Sequence, residues 1–410
     1  MHKKTLKFWM LLAAALMISG LFGASLSFAQ EMPKPGMTID KSNYKKYAHL
    51  FPEEWAQAFE DGFGGIMSPI HFNVTATKPA PEPKAFLDLS AKNKGKFGLD
   101  AQGNLTGGWA YDGFPFPDLD RNDKNFAIKY MWNFQARYIW DDHHDNGISY
   151  ERRRGEDLRY KMLEQIWIYF KNRIICNPNP VMPTPNGLFR AQLLHFKTPD
   201  SIKNTMNLSY RYADPKKPDD TYIYLPSMRR VLRAEAGQRS TPLLGSTQAL
   251  DDFNGFDGNT NEFTYTLVKE QKVLAIMRGV KLTQKEAMGW NKKDVPFPYD
   301  GYEIRDAYVI DIKPKDPRYP QSKKRVWIDK EARQVLYTIA WDRAGKVWKV
   351  WQEAYKSIPV GNDTFLAVSG VFGVDVQFGM ATYYLPDSEI NTCRYNYNDV
   401  TPQALLKRAR

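Results

Sequence analysis

The stretch RVWIDKEARQVLYTIAWDRAGKVWKVW, residues 325–351, decides the fold that we predict for this chain. It contains three short segments rich in Val, Ile, Tyr and Trp, separated by turn signals at Asp329–Ala332 and Asp342–Gly345. A strand places alternate residues on one face, so four residues of the middle segment are predicted to share a face: Val335, Tyr337, Ile339 and Trp341. Strands joined by such short turns form an antiparallel meander, which must be curved or covered to protect its edges.

Further strand signals lie upstream of this meander, and helix signals are found in the N-terminal third. Strands are predicted over Leu188–Phe196, Met206–Tyr212, Thr221–Leu225, Met228–Arg233 and Ala307–Lys313. Helices are predicted over Pro52–Phe59 and Asp123–Trp140. We therefore predict a mainly β protein. Residues 30–148 form a helix- and loop-rich part that wraps or caps an antiparallel sheet made by residues 149–410, the two together as one elaborated domain.

The first 29 residues have the pattern of an export signal. Lys3, Lys4 and Lys7 precede an apolar stretch from Phe8 to Leu26, and Ser27-Phe28-Ala29 supplies the small residues of a cleavage site. We predict a signal peptide over residues 1–29 and a periplasmic mature protein. No cysteine lies near the cleavage site, so a lipoprotein is not expected. The alternative is an uncleaved anchor, because the stretch is just long enough to span a bilayer.

The composition fits a folded domain with a substantial core. Hydrophobic residues make up 43% of the chain and aromatic residues 14%; aromatic rings suit pleated sheets and also line apolar cavities. Loss of Lys3, Lys4 and Lys7 lowers the formal charge from +11 to +8, which favours anionic surfaces or ligands. Nucleic acid is excluded as a partner, because the charges are dispersed and an exported protein has no routine access to it.

The chain has two cysteines, Cys176 and Cys393. In an oxidising compartment an even pair predicts a disulfide, which here would tie the C-terminal segment to the middle of the chain. Two buried thiols are the alternative, because spacing alone does not establish the required geometry.

The sequence gives no support to an enzyme, and we expect no cofactor. Neither Gly-x-Ser-x-Gly nor His-Glu-x-x-His occurs. Asp141–Asp145 (DDHHD) has metal-ligand side chains, but adjacent residues rarely converge on one ion, so we predict an exposed helix end without a metal. The polar run Asp251–Asn259 is predicted to be a loop. Its glycines do not fit the spacing of a calcium loop, and turn chemistry explains them.

Several segments of the chain resemble one known family. The stretch YIYLPSMRRVLR, Tyr222–Arg233, resembles a segment of the family named domain of unknown function 1329, which usually carries a further basic residue where Leu232 stands. Other pieces match in the family's order, so the likeness covers nearly the whole mature chain: Gly36–Asp40 with Asn43, Gly113–Pro117, Trp132-Asn133, Gln238–Ser240 and Gly245–Asp252.

That family is similar to the periplasmic lipoprotein carriers of the outer-membrane sorting pathway. The resemblance implies a strongly curved antiparallel sheet, an incomplete and half-open β-barrel, with helices over its open face. It also implies partners: a membrane exporter of the resistance-nodulation-division type and an outer-membrane protein.

A half-open barrel could hold a hydrophobic molecule, and two sets of residues are candidates for contacting it. The predicted wall residues are Tyr222, Tyr224, Trp327, Tyr337, Ile339, Trp341 and Trp348. The predicted headgroup ligands are Arg229, Arg230 and Arg233, which could pair with an anion. The alternatives are an ordinary filled core for the first set and protection of a strand edge for the second.

We therefore predict a periplasmic carrier or chaperone for a lipid or other hydrophobic molecule, which works with an envelope transporter. The alternative is an adaptor that binds no ligand and docks inner-membrane exporter and outer-membrane components. A carrier requires an apolar cavity, whereas an adaptor requires a filled barrel with an exposed apolar or basic patch.

Overall fold

Fourteen strands of the computed structural model join in one large, strongly curved sheet that is not closed as a barrel. The structure describes residues 31–108, 112–234, 239–279, 297–361 and 363–409, of which those from Lys34 onward belong to one compact unit. The strands of the sheet are β5 (Asp142–Arg153), β6 (Arg159–Tyr169), β7 (Leu188–Thr198), β8 (Met206–Tyr212), β9 (Asp220–Leu225), β10 (Arg230–Ala234), β11 (Phe263–Ile276), β12 (Tyr302–Pro314), β13 (Gln321–Asp329), β14 (Val335–Asp342), β15 (Val347–Val360), β16 (Asp363–Asp375), β17 (Met380–Leu385) and β18 (Ser388–Ile390).

Short elements surround this sheet. Two small sheets pair β1 (Thr38–Ile39) with β2 (Phe72–Asn73) and β3 (Gly98–Leu99) with β4 (Leu105–Thr106). The α-helices are α1 (Ala56–Glu60), α2 (Lys84–Ala91), α3 (Phe126–Ala136) and α4 (Pro402–Arg408); 3-10 turns lie at Tyr44–Leu50, Glu53–Trp55, Leu250–Gly255, Thr260–Glu262 and Tyr397–Val400. Among the described residues, no helix has the length and apolar character needed to cross a membrane. The predicted signal peptide lies outside the described residues.

The strands follow the order β10-β9-β8-β7-β6-β5-β17-β16-β15-β11-β12-β13-β14, with β18 beside β5 and a further pairing of β14 with β15. Neighbouring strands are antiparallel, apart from one parallel pair between Ile276 and Ala354. The predicted mainly β, half-open architecture is confirmed. The sheet begins at Asp142, ahead of the predicted start at residue 149. It also includes β11, which the sequence did not predict as a strand because its middle residues, Lys269–Lys272, are all polar.

The prediction that Val335 shares a face with Tyr337, Ile339 and Trp341 is wrong. Trp327 pairs with Tyr337 but Ile328 pairs with Val335, so a β-bulge at Leu336 interrupts the alternation. An extra residue moves its neighbour to the other side of a sheet. Val335 therefore packs with the cluster that contains Ile328, and Tyr337 and Ile339 pack on the opposite face.

An N-terminal segment, residues 38–80, covers the face that carries Tyr337; we call it the N-terminal cover. Its aromatic side chains join the same buried cluster as Trp327, Tyr337 and Phe372. Within it, the predicted helix over Pro52–Phe59 is a 3-10 turn followed by α1. The last part of the cover is fixed to β12 by backbone contacts, since Thr75 N–H donates to Tyr302 O at 2.7 Å.

The C-terminal segment covers the other end of the same face. Helix α4 packs on β9 and β10, and Val400 and Leu405 lie in one cluster with Leu208, Tyr210 and Tyr224. Cys176, in the loop between β6 and β7, and Cys393 are joined by a disulfide that holds this segment to the sheet.

Asp141–Asp145 is not an exposed helix end. Helix α3 ends at Ala136, earlier than the predicted Trp140, because Arg137 is extended, and Asp142 already begins β5. Asp141 accepts backbone N–H bonds from residues 174–176 at 2.5–3.0 Å, and Asp142 accepts those of Thr392 and Arg394 at 2.6 and 3.1 Å. The two buried carboxylates thus order the two loops that the disulfide joins. In the described ranges, no group of three acidic, histidine or cysteine side chains could hold a metal ion.

The opposite face of the sheet is crossed by residues 239–262, which we call the crossing segment. It contacts strands from one side of the sheet to the other: Leu250 packs on Leu194 of β7, Thr247 N–H donates to Thr382 of β17, and Lys324 of β13 pairs with Asp252 at 2.6 Å. The predicted loop at Asp251–Asn259 is therefore buried rather than solvated. Gly255 has φ +77° and its Cα lies so close to β14 that a Cβ would come within 2.3 Å of Val335, so no larger residue fits.

A buried charge cluster fixes one end of the crossing segment. Three arginines and three aspartates, each side chain at most a tenth exposed, form it: Arg190, Arg211, Arg239, Asp219, Asp251 and Asp257. Asp257 is its centre, with oxygens 2.5 Å from Arg190, 3.2 Å from Arg211 and 2.9 Å from Arg239. Burial works to raise the pKa of Asp257, but the three guanidinium groups outweigh it and lower that pKa to about 2.

We expect Asp257→Asn to lower the free energy of unfolding by about 3–5 kcal/mol, because it leaves buried guanidinium groups without a carboxylate. Urea unfolding of the mature protein would measure the change. Asp316→Asn is the matched control: it breaks the exposed pair with Arg318 and should cost less than about 1 kcal/mol. Equal effects of the two substitutions would show that the cluster is not a structural anchor.

We expect removal of the disulfide by Cys176→Ser with Cys393→Ser to lower the free energy of unfolding by about 2–5 kcal/mol, since the bond restricts a long loop of the unfolded chain. Urea unfolding of the oxidised protein and of the variant would measure the difference. A variant as stable as the parent would mean that Asp141 and Asp142 alone hold the two loops.

Stability should also fall as the pH rises from about 4.5 to about 8, because burial raises the pKa of Glu353, beneath the crossing segment, from 4.5 to about 8. In that window the folded protein keeps a proton that the unfolded chain releases, at up to about 1.4 kcal/mol per pH unit. Glu353→Gln should make the dependence less steep in unfolding experiments at several pH values, but should not abolish it, because burial also raises the pKa values of Glu82, Asp145 and Glu262 to about 7. An unchanged slope would assign the proton to another group.

Candidate ligand-binding site

Four predicted wall residues lie together beneath the N-terminal cover: Trp327, Tyr337, Ile339 and Trp341. The first three are buried, and Trp341 is partly exposed at the rim. Trp55 of the cover meets Tyr337 edge to face, with ring centroids 5.3 Å apart, and also contacts Phe372 at 6.0 Å. The wall that the strand pattern predicts is thus in contact with a separate segment of the chain.

Aromatic rings make up much of the contact between the cover and the sheet. Phe72 stacks on Tyr302 with centroids 3.6 Å apart, and Phe59 contacts both Phe72 and Phe51. Such rings supply a large apolar area at low entropic cost, and they also suit the walls of a hydrophobic binding site.

The polar atoms of this interface fall into two groups. Some are paired: Tyr337 O–H donates to Leu274 O at 2.5 Å, and Trp327 Nε1 donates to Gln271 at 2.9 Å. Trp55 Nε1, His49 Nε2 and Tyr150 Oη are buried and have no hydrogen-bond partner among the described residues. Each such atom costs about 1–3 kcal/mol. These three atoms could therefore bond to the polar group of a bound molecule without losing an existing partner.

The rim of this interface carries charges of both signs. Lys323 Nζ lies 4.0 Å from the centroid of the Trp341 ring, and Arg325 lies 5.8 Å from it. Both cations pair with Asp311, at 3.6 and 2.6 Å, and Glu54 of the cover faces them; burial raises the pKa of Glu54 against their attraction. The polar end of a ligand at this rim would therefore meet an ion-pair network and not free cations.

The remaining predicted site residues lie elsewhere. Tyr222 and Tyr224 pack beneath α4, and Trp348 is half-buried and donates to Asp375 at 2.9 Å. The three arginines lie on the hairpin of β9 and β10: Arg229 and Arg230 are exposed, and Arg233 pairs with Asp220. Strand β10 ends one side of the sheet order, whereas β13 and β14 lie at the other side, where β14 also pairs with β15, so the structure does not bring these arginines to the Trp327 group.

A cleft of about 520 Å³ lies beside the end of the cover, and the sequence analysis did not predict it. Pro79, Ala80 and Pro81 form one wall, and Tyr138 and Phe365 contribute to another. Its volume and partly apolar lining are typical of ligand pockets. The sequence feature that forms part of this cleft is the proline-rich run Lys78–Pro83. Prolines are also common in loops, so this run predicts connecting structure and does not indicate a binding site.

A second cleft, of about 480 Å³, opens at the buried charge cluster. Its lining is mainly polar and includes Asp251, Asn259 and Glu262. Burial raises the pKa of Glu262 to about 7. This lining does not suit a hydrophobic ligand.

The chain is similar to several solved structures, three of which are described below. One is an outer membrane lipoprotein-sorting protein domain from Vibrio parahaemolyticus, with 18% identity, TM-score 0.47, and 65% of this chain and 92% of that chain covered. A DUF1329 family protein from Desulfovibrio piger has 14% identity, the same TM-score and the same coverage. A LolA superfamily protein from Nitrosomonas europaea has 11% identity, TM-score 0.40, and 65% and 93% covered.

A search of curated protein sequences finds no match to the chain. The family model described as "Protein of unknown function (DUF1329)" matches residues 38–406, which is most of the chain. The resemblance stated from the sequence is confirmed: this chain belongs to the DUF1329 family.

Proposed function

We propose that the protein is a periplasmic carrier that binds a lipid or other hydrophobic molecule between the N-terminal cover and the sheet, and that it works with an envelope transporter. The observation that carries the proposal is the aromatic interface around Trp55, where three buried polar atoms have no partner among the described residues. Buried polar atoms are usually paired. Other buried side chains, such as Gln192 and Trp351, also lack a partner among the described residues, so the proposal rests on these atoms together with the aromatic rings around them. A bound molecule with an apolar body and polar atoms would satisfy them.

The attachment of the cover is consistent with reversible opening. Residues 73–75 are held to β12 and its flank by backbone bonds, whereas the part around Trp55 meets the sheet through rings and through side-chain bonds to its carbonyl groups, which Gln271 and Arg152 donate. Aromatic contacts are individually weak, about 0.5–1.5 kcal/mol beyond burial, and a ligand can replace them with contacts of the same kind. A ligand that separated Trp55 from Tyr337 would leave the anchor at residues 73–75 in place.

A second candidate function is the adaptor that docks exporter and outer-membrane components without a ligand. It is favoured by the tight burial of Trp327, Tyr337 and Ile339, and by the exposed hairpin of β9 and β10. The two functions differ in one measurable property, since only the carrier binds a hydrophobic molecule with a defined stoichiometry.

Native mass spectrometry and lipid extraction of the mature protein, purified gently from its own periplasm, would distinguish them. The carrier predicts a stoichiometric hydrophobic molecule, or saturable uptake of dansyl-labelled undecanoic acid. A clean ligand-free mass with no uptake of this probe would contradict the carrier and favour the adaptor.

We expect Trp55→Phe to weaken probe binding roughly three- to tenfold, because it removes an N–H that no described residue bonds. Stability should fall less than in Trp327→Phe, because removal of the unpaired N–H offsets part of the cost of the smaller buried ring. Fluorescence titration and thermal unfolding would measure both quantities. Trp327→Phe is the matched control: its N–H already bonds to Gln271, so its loss should lower stability by about 1 kcal/mol. Trp55→Phe would contradict the site if it left probe affinity unchanged.

A further inference from the structure

The hairpin of β9 and β10 exposes apolar and basic side chains together at one end of the sheet. Met228 is 50% exposed and Leu232 is 38% exposed, and Arg229 and Arg230 beside them are also exposed. Strand β10 is the last strand in the sheet order on this side, so the hairpin projects an edge that no other strand of the described chain covers.

Edge protection does not explain this combination. Charged residues on an edge strand prevent pairing with other chains, but exposed Met and Leu on the same edge have the opposite effect. Arg233 serves a local role, since it pairs with Asp220 of β9. The Arg229 and Arg230 side chains make no hydrogen bond or ion pair within the described chain, and Arg229 lies in the turn with φ +52°.

Helix α4 leaves this surface open. It packs on the face of β10 that carries Val231, whereas Arg230 and Leu232 lie on the opposite face of the strand. Apolar side chains flanked by cations suit the interfacial region of a bilayer, where the chains enter the acyl boundary and the cations meet phosphates. A protein partner would need an apolar pocket for Met228 placed beside an acidic patch, whereas an anionic bilayer supplies phosphates and apolar chains over its whole surface.

We propose that this hairpin, with Met228, Arg229, Arg230 and Leu232, docks the protein reversibly on an anionic phospholipid surface. Few side chains take part, so the contact is weak and salt-sensitive, unlike the insertion of a membrane helix. Docking does not depend on cargo binding, although it would bring the carrier to the membrane where cargo is exchanged.

Vesicle co-sedimentation of the full mature chain tests the proposal. The protein should bind vesicles of phosphatidylglycerol and phosphatidylethanolamine, bind phosphatidylcholine vesicles much less, and dissociate at high salt. Arg229→Gln with Arg230→Gln should weaken binding about 30-fold, since each cation near such a surface contributes about fivefold. Lys45→Gln with Lys46→Gln, on the exposed side of the N-terminal cover, changes net charge equally and should reduce binding less than about twofold.

Insertion of the hairpin into the bilayer can be measured separately from binding to vesicles. Both native cysteines are in the disulfide, so Met228→Cys can be labelled singly with an environment-sensitive fluorophore, whose emission should shift to the blue on adding anionic vesicles. The proposal would be overturned if the double arginine variant and the double lysine variant lost vesicle binding equally, or if the emission of the labelled Met228→Cys protein did not shift. Binding of dansyl-labelled undecanoic acid should persist in the double arginine variant, and vesicle binding should persist in Trp55→Phe. A failure of membrane docking can therefore be distinguished from a failure of the carrier function.

Discussion

The buried ion pairs of Asp257 are the constraint on which the rest of the structure depends. They hold the crossing segment to β7 and β8, while Lys324 holds it to β13 through Asp252. Breaking one buried pair leaves an uncompensated charge, so such an anchor is strong only when it is complete. It therefore favours a single position of the segment over many loosely packed ones. The curved sheet needs such a segment, because an uncovered face would expose its apolar residues to water.

The two faces of the sheet are covered by different kinds of contact. The crossing segment is fixed by buried ion pairs in addition to packing, whereas the N-terminal cover around Trp55 is held by rings and by hydrogen bonds to its backbone carbonyl groups, without a buried ion pair among the described residues. Charges have few alternative partners in a protein interior, but a ring surface accepts any apolar molecule of suitable shape. This difference supports the proposal that ligand exchange takes place beneath the N-terminal cover and that the crossing segment stays in place.

The sequence predicted the strands well where side chains alternate and turns are marked, as in residues 325–351. It failed where the cause lies outside the local pattern. The bulge at Leu336 moves Val335 to the other face, and only the pairing with β13 fixes it there. The pattern predicts an exposed helix end at Asp141 and a loop at Asp257, because the groups that bind their carboxylates lie far away in the sequence or on other strands. Long-range partners leave no periodic signal.

The candidate site, too, could be predicted only in part, because some of its contacts are long-range. Alternation in β13 and β14 identified Trp327, Tyr337 and Ile339 as one surface, and the structure brings them together. The pattern could not identify Trp55 as the residue that covers them. Trp55 lies in a short 3-10 and α-helical segment, and the sequence of such a segment does not indicate which face of the sheet it packs on. Nor could it separate Tyr222 and Tyr224, which have the same chemistry but lie under α4. Residue type and period locate an aromatic surface, and sheet order decides which of these residues can contact the same molecule.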